Sequence, residues 1–169
     1  MTRKNKIILF IVCCVICIAS DRVTKDLAKE HLKDKGMASY FHDSFRFWYV
    51  ENTGAALSLG DELPKTASFW LLSMLPLAFL LLVVVYVFRH LDKMTAMRVF
   101  SIALIVSGGI GNIIDRILYD RHVTDFMNIG FGSLRTGIFN VADVWVTAGV
   151  IGLLLFYKKP AAENSTANS

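Results

Sequence analysis

Three aspartates of this chain stand where charge is expensive. Asp21, Asp115 and Asp143 fall in or at the ends of long apolar runs, and an ionisable group inside a bilayer is a functional candidate by default. Distances along helices can be counted from the basic residues that end these runs. Lys6 to Asp21 is about 22 Å, Arg98 to Asn112 about 21 Å with Asp115 about 4 Å beyond, and Lys158 back to Asp143 about 22 Å. The hydrocarbon core is about 30 Å thick, so three helices bring polar groups to one depth, about two-thirds of the way across. Asn112, Asp115 and Arg116 share a helix face at i, i+3 and i+4. Such a set can activate water with paired carboxylates, one neutral and one ionised. It can equally relay ions or protons, as carriers do. Simpler roles also fit: a cap and ion pair at a helix end for Asp115 and Arg116, and a charge complementing the helix dipole for Asp143.

Other chemistries lack their residues. The four histidines, His31, His42, His90 and His122, lie in expected loops, so no Ser/His pair forms. There is no glycine-rich phosphate loop followed by lysine, and no Cys/His spacing for zinc. No metal or cofactor is expected. Cys13, Cys14 and Cys17 cluster in the middle of an apolar run and read as packing residues. Carriers usually have more helices and internal pseudo-symmetry. This chain has no repeat, which favours the hydrolase.

The elements that must position these groups are membrane helices. The 169 residues are 54% hydrophobic and 19% charged, with a mean hydropathy of +0.50. Soluble domains run nearer 25% charged. The apolar excess sits in four blocks: Ile7–Ser20, Ala67–Phe88, Val99–Ile114 and Ile138–Tyr157. We therefore expect an α-helical integral membrane protein with one domain over 1–160, its spans at about 6–27, 67–88, 97–119 and 138–157. The N-terminus has the basic and apolar regions of a signal peptide, but three further spans make it read as an uncleaved first helix. The tail, 161–169, is small and polar and reads as disordered.

Between the first two blocks the chain is mostly polar. Lys25–Lys35 reads as a helix end breaking at Gly36. Phe45–Val50 alternates and is rich in aromatics, which reads as a strand. Phe126–Phe139, with three glycines, suits a second strand or hairpin. A small extracytoplasmic β-element is therefore expected at about 40–60. Its aromatics suit either interfacial anchoring or a small core of their own.

Five strings then matter together: Asp21-Arg22-Val23-Thr24-Lys25, Val50-Glu51-Asn52-Thr53-Gly54-Ala55-Ala56, Gly109-Ile110-Gly111-Asn112-Ile113-Ile114-Asp115-Arg116, Val123-Thr124-Asp125-Phe126 and Phe139-Asn140-Val141-Ala142-Asp143. In this order, across residues 21–143, the chain resembles the bacterial lipoprotein signal peptidase (signal peptidase II) family. The resemblance implies an aspartyl intramembrane peptidase that cleaves prolipoproteins before a diacylglyceryl-modified cysteine. Its implied catalytic pair is Asp125 and Asp143. Asn52, Gly54, Asn112, Arg116, Asn140 and Ala142 match positions around the site, and Asp21, Lys25 and Asp115 read as structural polar residues. The implied partners are lipid-modified prolipoproteins and membrane lipids, with no nucleic acid, and a monomer in the bacterial inner membrane is expected. Two positions depart from the family pattern: Arg22 stands where glutamine is frequent, and Leu57 follows Asn52–Ala56 where phenylalanine is usual. The GxGD string of presenilin-type proteases is absent, because Asn112 follows Gly109-Ile110-Gly111. Depth counting alone does not select Asp125, which reads as a loop residue. The resemblance implies that the third helix extends through Asp115–Phe126 to bring Asp125 to Asp143.

Charge fixes the expected orientation. Arg3, Lys4 and Lys6, then Arg89, Lys93 and Arg98, then Lys158 and Lys159 flank the spans with only Asp92 among them. By the positive-inside rule both termini face the cytoplasm and the site lies near the outer face. Cysteine-accessibility labelling in whole cells is expected to reach His42 and Asp61 from outside and His90 and Ser165 only from inside. The reverse pattern would overturn this orientation.

Overall fold

The structure is a computed structural model that describes residues 1–54 and 63–156. Ala55, Ala56, Leu57, Asp61, Lys158, Lys159 and the tail 161–169 lie outside the described residues. The elements in chain order are α1 (Arg3–Leu32), β1 (Ala38–Tyr40) and β2 (Phe45–Asn52), α2 (Lys65–Lys93), then α3 (Ala96–Leu118), β3 (Val123–Phe131), β4 (Leu134–Arg135) and α4 (Val141–Leu155).

Among the described residues three helices, α1, α2 and α3, are long and apolar enough to cross a membrane. Half of the apolar window of α3 is buried, against less than a quarter for α1 and α2. The third helix is therefore the centre of the bundle, and the others present residues such as Val15, Ile16, Phe79 and Leu82 outward. The interior is built from Phe10, Cys13 and Cys17 of α1, Leu80 and Val87 of α2, and Val99, Ala103 and Leu104 of α3. The cysteines are packing residues here: Cys13 and Cys17 are buried in that cluster, and all three are free thiols.

Local chemistry sets the helix ends. The Thr2 side chain accepts from the Asn5 amide, and Thr95 accepts from the Arg98 amide, so the first turns of α1 and α3 each have a side-chain cap. Inside α2, Trp70–Met74 forms a π turn. Pro76 follows it, and proline both lacks an N–H and crowds the carbonyl four residues back, which favours such a bulge.

The helices α3 and α4 approach closely enough that small residues are required. A Cβ added at Gly108 would stand 2.3 Å from the Ala142 carbonyl oxygen, and one at Gly149 would stand 2.5 Å from that of Ser101. The fourth helix has 15 described residues, shorter than the expected span of 138–157. Ile138 and Phe139 precede the helix instead, Phe139 bridging to Met127 of β3, and Asn140 starts the helix as its cap.

The four strands form one antiparallel sheet in the order β1-β2-β3-β4. Phe45 faces Ile129 and Asn52 faces Val123, with a register shift between Phe47 and Val50. The β1–β2 turn holds Phe41, His42 and Asp43 at positive φ. Asp43 fastens it, accepting from Ser39 Oγ (2.7 Å) and pairing with Arg46 and Arg135. The β-element thus draws on two separate segments, and the one in 123–135 begins earlier than Phe126.

One expectation is corrected. The third helix does not run through Asp115–Phe126. It ends at Leu118, turns through Asp120 and Arg121 at positive φ, and continues as β3. Pairing of Val123–Ile129 along β2 satisfies a backbone that a helical extension would leave unpaired with the sheet, and β-branched Val123 and Thr124 suit a strand.

Gly108→Ala should lower stability by about 1–3 kcal/mol, the usual cost of overpacking a close contact, read as an earlier thermal transition in detergent. A variant as stable as the parent would show that α3 and α4 do not meet at this distance.

Candidate active site

The site forms where β2, β3, α3 and the start of α4 converge. Asp125 comes from β3, Asp143 from the first turn of α4, Asn52 from the end of β2, and Asn112 and Arg116 from one face of α3. These residues line an open cavity of about 320 Å³ whose apolar wall includes Val123, Ile138, Phe139 and Val146.

Asparagines orient the two carboxylates. Asn140 is the cap of α4: its side chain accepts from the Asp143 amide at 3.1 Å, and its own amide donates to Asp143 Oδ2 at 3.1 Å. The same Asn140 donates through Nδ2 to Asp125 Oδ1 at 2.6 Å. Asn52 Nδ2 donates to Asp125 Oδ2 at 3.0 Å, and Asn112 Nδ2 donates to Asp143 Oδ1 at 2.8 Å. Asn112 Oδ1 in turn accepts from Asn140 (3.0 Å) and from Lys25 (2.9 Å). Each carboxylate therefore has both oxygens engaged by neutral donors, and Asn140 touches both aspartates.

Arg116 closes the far wall. Its Nη2 donates to the Gly54 carbonyl at 2.8 Å, and Gly54 N donates to Asn52 Oδ1 at 3.0 Å, which fixes the end of β2. Its charge acts on both Asp125 and Asp143. Its Nε is buried and has no hydrogen-bond partner among the described residues.

Burial is the main influence on Asp125, whose pKa is pushed up to about 6. The nearby Asp143 charge raises it further, while hydrogen bonds from Asn52 and Asn140 and the charge of Lys25 hold it down. The donors favour the ionised form and the apolar surroundings oppose it. A carboxyl so placed can give or take a proton near neutrality.

Behind the cavity lies the second group of expected residues. Lys25 Nζ is 2.8 Å from Asp21 Oδ2 and 2.8 Å from Asp115 Oδ2. Asp21 Oδ1 accepts from the Ala142 amide at 2.9 Å, and Asp115 Oδ2 accepts from the Thr124 amide at 3.3 Å. The equal depths counted for Asp21, Asp115 and Asp143 correspond to this one polar layer, but only Asp143 of the three lines the cavity. Ala142 is fully buried behind the site and contributes its amide. Asp115 does not pair with Arg116; its cations come from α1. Sequence reasoning passed over Thr136 and Thr147, which also line the cavity, and nothing in their spacing marks them.

Asn140→Ala removes the cap of α4 and one partner of Asp125, and should cost about 1–3 kcal/mol. Asn140→Ser keeps a cap but is too short to bridge the two aspartates, so its thermal transition should fall between those of wild type and Asn140→Ala. A wild-type transition for Asn140→Ala would show that the bridge holds nothing.

Comparison with known proteins places the chain in a family. The family model for signal peptidase (SPase) II matches residues 13–158. A lipoprotein signal peptidase of Sulfurihydrogenibium sp. is 32% identical over 164 residues, 95% of this chain and 99% of that protein. One of Clostridium tetani is 37% identical over 150 residues, 88% of this chain and 92% of that protein. Among solved structures, a bacterial membrane enzyme at 2.3 Å resolution superposes with a TM-score of 0.71 and 26% identity, covering 86% of this chain and 85% of that one. Matched by the family model across all four helices and by these relatives over nearly its whole length, the chain belongs to the signal peptidase II family, the lipoprotein signal peptidases.

Proposed function

We propose that Asp125 and Asp143 are the catalytic pair of this aspartic endopeptidase, which removes signal peptides from prolipoproteins. The observation that carries the proposal is Asn140. It bonds to both carboxylates and holds them at the rim of a cavity with one polar and one apolar wall. The ionised aspartate takes a proton from water, and the resulting hydroxide attacks the scissile carbonyl carbon. The protonated aspartate donates to the carbonyl oxygen. On collapse the C–N bond breaks and the proton passes to the leaving amine. Burial raises the Asp125 pKa, which allows the pair to hold one proton near neutrality.

The cleaved bond precedes a diacylglyceryl-modified cysteine, whose acyl chains lie in the bilayer between helices. The strand β2 holds the peptide from outside, and Arg116, which lines the cavity, faces it from α3. The enzyme works as a monomer in the bacterial inner membrane, with both termini in the cytoplasm and the pair near the outer face. No metal takes part.

Purified protein in detergent should shift the size of a lipid-modified prolipoprotein. Asp125→Asn and Asp143→Asn should each abolish that cleavage while still inserting, because an amide is neither base nor acid. Asp115→Asn should be milder. Near-wild-type turnover in either of the first two variants would sink the assignment, as would ion movement into liposomes without cleavage. EDTA should have no effect.

The pH dependence follows from the pair. Below the lower apparent pKa both carboxyls are protonated and the base is lost; above the upper one both are ionised and the acid is lost. Since the Asp125 pKa is raised to about 6, kcat/KM should decline on the alkaline side from about pH 6 or above, not near the ordinary aspartate value of about 3.9. A rate still rising through pH 10 would point to hydroxide or metal-bound water.

A further inference from the structure

Arg22 reaches from α1 to the layer behind the site. Its Nη2 donates to Asp115 Oδ1 and lies 3.9 Å from Asp21 Oδ2. Lys25 occupies Asp115 Oδ2, and that same oxygen accepts from the amide of Thr124, the residue before Asp125. Two buried carboxylates therefore meet two cations, and the cluster is neutral. Without Arg22 the two carboxylates would share one ammonium. The surplus negative charge would then sit one strand residue from Asp125 and, through Lys25 and Asn112, one amide from Asp143.

On α3, Arg116 also acts on Asp115 through space, but the ion pairs of Asp115 are with Arg22 and Lys25. The Arg22 side chain is 22% exposed and lines a cavity of about 70 Å³. From α1 its neighbours around that cavity are Lys25, Asp26 and Lys29. From β2 come Tyr49 and Glu51, bonded to each other at 2.8 Å, and from the turn after α3 come Tyr119 and His122. Lys29 stands over the Tyr119 ring, 5.4 Å from its centroid, and Lys33 pairs with Glu51. Lys25 is already shared between Asp21 and Asp115.

We infer that Arg22 is a positioning residue for the catalytic pair: by neutralising Asp115 it holds the strand that carries Asp125 and keeps a surplus negative charge from behind the two aspartates. This rests on the assignment of Asp125 and Asp143. An added negative charge opposes ionisation of a nearby carboxyl. Screened by the protein interior, it should raise the apparent pKa values by about 0.5–1 unit.

The test is a pH–rate series of kcat and kcat/KM on a lipid-modified prolipoprotein. It compares wild type, Arg22→Gln, Arg22→Lys and the double variant Arg22→Gln/Asp115→Asn. Both limbs should move up by that amount in Arg22→Gln. They should return toward wild type in Arg22→Lys, which keeps the charge, and in the double variant, whose cluster is neutral again. If Arg22→Gln does not fold but the double variant folds with wild-type limbs, surplus charge is the defect and the inference stands. Unmoved limbs in Arg22→Gln, or failure of the double variant to fold as well, would overturn it in favour of a packing role. Wild type that does not cleave would overturn the assignment of the pair instead.

Discussion

A single ammonium holds the working end of this molecule together. Lys25 is 2% exposed and bridges Asp21 at 1% and Asp115 at 0%, while its third contact is Asn112. Each of these carboxylates also takes a backbone amide from an element that carries an active-site aspartate: Ala142 beside Asp143, and Thr124 beside Asp125. The start of α4 and the start of β3 are thus fastened to the same buried charge cluster. Breaking one partner of such a pair leaves an uncompensated buried charge, which typically costs about 3–5 kcal/mol.

Around Asp125 and Asp143 the donors change character. The groups in direct contact with Asp125 and Asp143 are asparagine side chains and backbone amides, while the cations Lys25 and Arg116 stand one residue further away. A cation in direct contact would hold a carboxylate ionised. Neutral donors orient it and lower its pKa by less than burial raises it, so Asp125 stays raised. Charge used for anchoring and charge used for chemistry are separated by one layer of amides, and Asn112 belongs to both layers.

The sheet supplies what the bundle cannot. Helix α3 passes the site with Asn112 and Arg116, then ends at Leu118. The left-handed turn at Asp120 and Arg121 sends the chain back along β2, and Asp125 reaches the cavity from a strand. The β2–β3 pairing also brings Asn52 to Asp125 Oδ2, so one sheet register places both a cavity-lining carboxylate and one of its donors.

Much of this is written in local sequence. Apolar run length gives the helices, because a bilayer demands continuous apolar surface and internal backbone bonding. Helix rise is constant, so the depth of Asp21, Asp115 and Asp143 could be counted before any fold was known. The order of the five strings indicated the family and, through it, Asp125. Three things required tertiary structure. Asp125 lies on a strand because its partner, β2, is some 70 residues away in sequence, and no local propensity reports a pairing over that distance. The division of the aspartates into anchoring and cavity-lining sets depends on which cation reaches each one: Asp115 draws its partners from α1, not from the adjacent Arg116. Asn140 falls inside the apolar run expected to span 138–157, and it is the cap of α4 instead. That it also bridges two carboxylates depends on the packing of α4 against β3 and α3, since a side chain shows its second partner only when the chain has brought one to it.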